Sequence, residues 1–137
     1  MTTVTDLVAD LATEHADLDR ILAPLPPEEW ARATPSPGWT VADQIGHLAY
    51  FDRAAALAIT DGDAFKEQAA ALVRQATTAG FDVTLDEARS LSARQLFAWW
   101  REGRAGLIEA AGALDEVTRL PWYGPDMGAK SFLTARL

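Results

Sequence analysis

Few side chains in this chain have the types and spacing for chemistry, and the two histidines lead them. His47 has Asp43 one helical turn before it and Phe51 one turn after, all on a common face. Residue type alone favours a hydrogen-bonded core histidine there over a ligand. A lone imidazole cannot hold a metal in any case, since a catalytic zinc takes about three protein ligands, so any partners of His47 have to come from another helix. His15, at the step between Leu11 and Leu18, borders an apolar seam and reads as a packed imidazole without a ligand.

Two acids stand near His47 in the sequence. A ligating histidine usually donates its second ring proton to a carboxylate or carbonyl, which makes Asp43 and Asp52 candidates for orienting the ring. Asp43 lies three residues after Thr40, where a helix-capping acid is the better reading. Asp52, five residues past His47, is at the wrong step to share its face and is the lesser candidate. Trp39, Trp99, Trp100 and Trp122 could wall a pocket, with core packing the stronger expectation. Adjacent Trp99 and Trp100 diverge by about 100° around a helix, so one of them should leave the main core.

The elements that position these residues follow from apolar spacing. Val4, Leu7, Val8, Leu11, Leu18, Ile21 and Leu22 recur at steps of three and four, which predicts a helix over about residues 4–23, stopped by Pro24, Pro26 and Pro27. Pro35, Pro37 and Gly38 make a rigid turn, and Thr40 with Asp43 caps a second helix from Val41 to about Thr60. On that helix Ala42, Gly46 and Ala49 form a small-residue face that admits a close neighbour. A shorter helix is predicted over Ala64–Ala79, closed by Gly80. Thr84, Asp86 and Glu87 predict the start of a long one running to about residue 113, with Gly103, Gly106 and Gly112 explained by tight helix contacts. The aromatic loop 120–125 follows, after which Asp126 is placed to cap a last helical segment still in progress at Leu137. No strand alternation or repeat is visible, so the fold class is all-α, a bundle of four main helices.

Composition narrows the function. With 137 residues, 12 Lys+Arg against 20 Asp+Glu and a net charge of −8, the chain reads as a single acidic domain with scattered cations. Nucleic acid and anionic membrane are unpromising partners. There is no cysteine, which excludes disulfides, a thiolate metal site and a cysteine nucleophile. No leader-like or membrane-spanning stretch is seen, and a cytoplasmic protein is expected.

Trp30 to Asp52, with its Pro37-Gly38-Trp39-Thr40 turn and His47, resembles the signature of the mycothiol-dependent maleylpyruvate isomerase N-terminal domain, a branch of the DinB-like metal-binding four-helix bundles. The segments Pro121–Met127 and Ser131–Leu137 are similar to an uncharacterised subgroup of that family, some of it labelled as wyosine base formation domains. The resemblance implies a DinB-like up-down bundle and a divalent metal, zinc first and nickel second. In the family a histidine of helix two, matched by His47, joins a Glu-x-x-x-His pair of the last helix. That pair is expected beyond Leu137, so the chain is read as a fragment with its last helix cut short. The implied function is a metal-dependent isomerase or thiol S-transferase acting on a small molecule, using mycothiol or a similar low-molecular-weight thiol. The alternative is a non-catalytic ligand-binding or dimerisation module, and the small-residue faces and tryptophans would also suit a homodimer.

Overall fold

The computed structural model of the chain describes residues 1–79 and 82–137. Four long helices build it: α1 (Val4–Leu22), α3 (Val41–Thr60), α4 (Gly62–Ala79) and α6 (Ala93–Ala111). Short helices α2 (Pro27–Trp30), α5 (Asp86–Arg89) and α7 (Ala129–Thr134) fill the connections, with a 3-10 turn at Val83–Leu85. No described helix is long and apolar enough to cross a membrane.

The starts of α1, α3 and α6 share one device. Thr3, Thr40 and Ser92 each accept the backbone N–H of the third helical residue, whose own side chain returns to the cap backbone. Each box satisfies two donors that a helix start otherwise leaves bare. Thr40 and Asp43 do this at 3.2 and 3.0 Å, which fixes the first turn of α3 and with it the direction of His47. The capping reading of Asp43 therefore holds.

Several expectations need correction. The long helix predicted from Thr84 to about residue 113 is broken. Asp82, not Thr84, caps the 3-10 turn, α5 ends at Arg89, and Ser92 starts α6 afresh. Apolar spacing carries on through Leu85, Leu91 and Leu96, so periodicity alone hides the break; the Ser92–Gln95 box is the signal that marks it. Asp126 does not cap the last helix, whose N-cap is Gly128. Instead a two-residue antiparallel pairing joins β1 (Arg119–Leu120) to β2 (Met127–Gly128), where no strand was expected. α4 starts at Gly62, two residues earlier than predicted, with Asp61 Oδ1 accepting the Ala64 N–H at 3.1 Å. Gly80, the expected end of that helix, lies outside the described residues.

The glycines divide by cause. A Cβ at Gly46 would come within 2.5 Å of Ala88 Cβ, so the small-residue face of α3 does admit a neighbour, namely α5. Gly103 is filled over by the Arg53 side chain at 3.2 Å, whereas nothing lies within 4 Å of Gly106 and tight packing does not explain it.

Two apolar clusters form the core, and α3 and α6 run through both. One joins Leu7, Leu11, Ala55, Phe65, Leu107, Phe132 and Leu133. The other joins Leu22, Trp30, Ile45, Leu96 and Trp100. Trp100 is buried while Trp99 is only partly so and carries the Arg53 guanidinium 4.7 Å from its ring centre, as the angular argument required.

Candidate functional site

His47 reaches the structure between two aromatic rings, Trp39 at 5.3 Å and Phe51 at 4.8 Å between centroids. The Trp39 side is held by the turn before α3. Thr34 N–H bonds Trp39 O at 3.0 Å, the Thr34 hydroxyl does so at 2.9 Å, and Gln44 reaches back to Ser36 Oγ at 2.9 Å. Gly38 sits there at φ +77°, where any side chain would be strained. The imidazole is half-buried and its Nδ1 is buried with no hydrogen-bond partner.

Beside it opens a cavity of about 300 Å³, lined by Leu48, Phe51, Asp52, Trp122, Tyr123 and Arg136 together with His47. The aromatic loop supplies one wall. Trp122 stacks on Phe65 at 5.4 Å with rings 4° from parallel and meets Phe132 edge-on at 5.2 Å, while Tyr123 meets Phe51 at 5.7 Å. The β1–β2 pairing and the Arg119 bond to Asp126 O at 2.8 Å clamp this loop at its base. Arg136, just past α7, lies over Trp122 with its guanidinium carbon 4.3 Å from the ring centre. Trp122 thus lines the cavity, Trp39 packs on His47 outside that lining, and Trp100 belongs to the core.

Asp52 is the residue that spacing misplaced. Positions 47, 48, 51 and 52 form two adjacent rows on α3, and the cavity spans both, so a residue five steps from His47 still lines it. Asp52 is only 8% exposed, and burial pushes its carboxyl up to about pKa 6 against the pull of Arg136 and Arg104. His15 Nε2 approaches its Oδ2 at 3.8 Å. That distance is within ion-pair reach but too long for a direct hydrogen bond. The two groups also shift away from an ion pair: burial, helped by Arg104, holds His15 down to about 4. The contact is a buried carboxyl beside a largely buried imidazole, not a salt bridge. His15 is packed, as expected, and nothing in the spacing along α1 points to its carboxylate neighbour.

Burial also lowers the pKa of His47; Asp82 works against this and Arg136 with it. The ring is thus neutral near neutral pH, with a lone pair to offer. Asp43 does not orient it: burial works to raise the Asp43 pKa, but Arg89, whose Nε is 3.0 Å from Oδ1, and the Thr40 cap together lower it. Tyr123 and Tyr50 are both raised in pKa, first by burial, so both keep their phenolic protons.

Comparison with known proteins gives this arrangement a lineage. The profile of the mycothiol maleylpyruvate isomerase N-terminal domain matches residues 11–137. The chain belongs to that family. Its fold is the DinB-like helical bundle of the maleylpyruvate isomerase N-terminal domains. Two uncharacterized proteins of Mycobacterium tuberculosis, from strains CDC 1551 / Oshkosh and ATCC 25618 / H37Rv, are each 45% identical over 131 residues, covering 95% of this chain and 50% of theirs. The chain thus spans about half the length of the curated relatives it matches. No solved structure matches it.

A metal in such a site is tested by the donors present. The unpartnered Nδ1 marks His47 as a fit for one donor position. Among the described residues no three His, Cys, Asp or Glu side chains converge, so they do not close a coordination sphere by themselves.

Proposed function

We propose that the cavity beside His47 is a small-molecule site of a metal-dependent enzyme, a thiol-using isomerase or S-transferase, with His47 as one donor to a divalent ion, zinc in the first place. Support comes from one observation above all: a neutral imidazole with an orphaned nitrogen, fixed by a rigid turn at the wall of an aromatic cavity, in a chain of the maleylpyruvate isomerase N-terminal family. Further donors come from outside the described residues. A divalent ion bound there would acidify a coordinated thiol or water, so that a nucleophile forms near neutral pH without a protein cysteine.

The chain's own side chains do the rest. Trp39 and Phe51 hold the imidazole plane, which preserves a donor geometry that a freely rotating ring would lose. Trp122 and Phe51 offer flat apolar walls that exclude water, and Arg136 brings a fixed positive charge to the rim. The partners are then a small-molecule substrate and a low-molecular-weight thiol such as mycothiol.

The test is metal analysis of the protein at its full natural length, purified without chelators. About one zinc per chain, lost in His47→Ala while helical content is kept, is the expected result. Protein that purifies metal-free and takes up neither added zinc nor nickel would end the metal-dependent reading.

A further inference from the structure

Ionisable groups from several elements surround one side chain of the cavity wall, Asp52. From α1, His15 lies 3.8 Å from Asp52 Oδ2; from α6 and from the residues after α7, Arg104 and Arg136 act on the carboxyl through space. The aromatic loop adds Tyr123, α3 itself carries His47 and Tyr50, and Asp82 acts on both of these through space; among the described residues of α4, Phe65 is the buried one here. Among the described residues neither arginine makes a direct ion pair or hydrogen bond with Asp52. Arg104 is committed to Asp19 at 2.7 Å and lies 4.7 Å over Trp100, and Arg136 is stacked on Trp122.

A carboxyl buried for structure alone is normally saturated with hydrogen bonds, because leaving it short costs the desolvation of a charge. Asp52 has instead a histidine just beyond hydrogen-bond distance on one side and an open cavity on the other. We infer that Asp52 is the proton-exchanging residue of the cavity, with His15 packed behind its carboxyl. The inference rests on reading the cavity as a small-molecule site, but not on the metal. A ligand carrying an acidic hydrogen on oxygen, nitrogen or sulfur would give that proton to the Asp52 carboxylate. The ligand's bond to hydrogen breaks, its electron pair stays on the ligand, and an O–H forms on Asp52, which later returns the proton to the product or to water at the mouth. Burial sets the carboxyl near the working pH of such an exchange, where acid and base forms are both populated.

Carboxyl carbon-13 NMR on the protein at full natural length, with labelled aspartate and Asp52→Asn for assignment, tests this. Asp52 should titrate at least one pH unit above ordinary aspartates, a tenfold shift in proton affinity, and the Trp122 indole signal should follow the same midpoint. In Asp52→Asn the indole signal should lose that transition while metal content stays at the parent level. His47→Ala should lose metal and keep the Asp52 transition, so the two readings fail separately. An ordinary Asp52 midpoint, or cavity signals indifferent to it, overturns the assignment; a shift that vanishes in His47→Ala does the same. If Asp52→Asn does not fold, Asp52→Glu should restore a pH-dependent indole signal that a purely structural carboxyl would not produce.

Discussion

His15 and Asp52 lean on each other in a way that hides from a simple pH titration of stability. Asp52 binds its proton more tightly folded, at about 6, than unfolded, at 3.8, so across that interval the native state holds more protons there and raising the pH costs stability. His15 binds its proton less tightly folded, at about 4, than unfolded, at 6.5, so over its interval the unfolded chain holds more and raising the pH gains stability. Between pH 4 and 6 the slopes oppose and largely cancel. Removing one partner unmasks the other. Relative to the parent protein, Asp52→Asn should gain stability as pH rises from about 4 to 6, by about 2 kcal/mol, and His15→Gln should lose a similar amount. Urea unfolding at half-unit pH steps measures both, and parallel pH profiles for parent and variants would show that neither group is held neutral by burial. His47, His15 and Asp52 are each visible in the sequence, but that His15, Asp52 and Arg136 meet is not, because they stand on three different elements and no spacing along one helix tells which side chains another will deliver.

At the scale of elements, what was legible is what is written locally. α1 is placed almost to the residue by its apolar steps and the prolines after it, and α3 by the hydroxyl of Thr40 with an acid three positions on, with Gly62 beyond its end. The α5–α6 break was missed because its apolar stripe serves one continuous core face across both pieces. The glycines give a sharper test of how closely these elements approach. An alanine in a helix interior is worth up to about 1 kcal/mol over glycine when nothing obstructs it. Gly106, with open space around its would-be Cβ on α6, should gain about that much in Gly106→Ala. Gly46→Ala meets the rigid Ala88 Cβ at 2.5 Å, so α5 must move off α3, and overpacking of about 1–3 kcal/mol should outweigh the propensity gain. Thermal unfolding of the two variants should shift in opposite directions; a shared sign would mean that α3 and α5 do not pack as described.

Across the whole molecule, stability should be distributed by which elements thread the two clusters. α3 and α6 enter both, α1 contributes Val4, Leu7 and Leu11 to one and Leu22 to the other, and α7 inserts Phe132 and Leu133 into the first. α4 differs: Phe65 is its one fully buried side chain among the described residues, and Val73 is 62% exposed. Few buried contacts mean a low free energy of local opening, whereas amides of the core helices open only with the global transition. Native-state hydrogen exchange should therefore rank α3 and α6 slowest, with protection near the full unfolding free energy. Residues 71–78 of α4 should exchange orders of magnitude faster, while the turn around Phe65 stays protected by Trp122 and Tyr123 stacked against it. The cavity belongs to the slow class on one side and is closed by a short loop on the other, so Phe132→Ala, which removes the ring under Trp122, should cost about 3–5 kcal/mol and loosen that wall with it. Uniform protection across α3, α4 and α6 would mean that α4 is buried against something more than this chain.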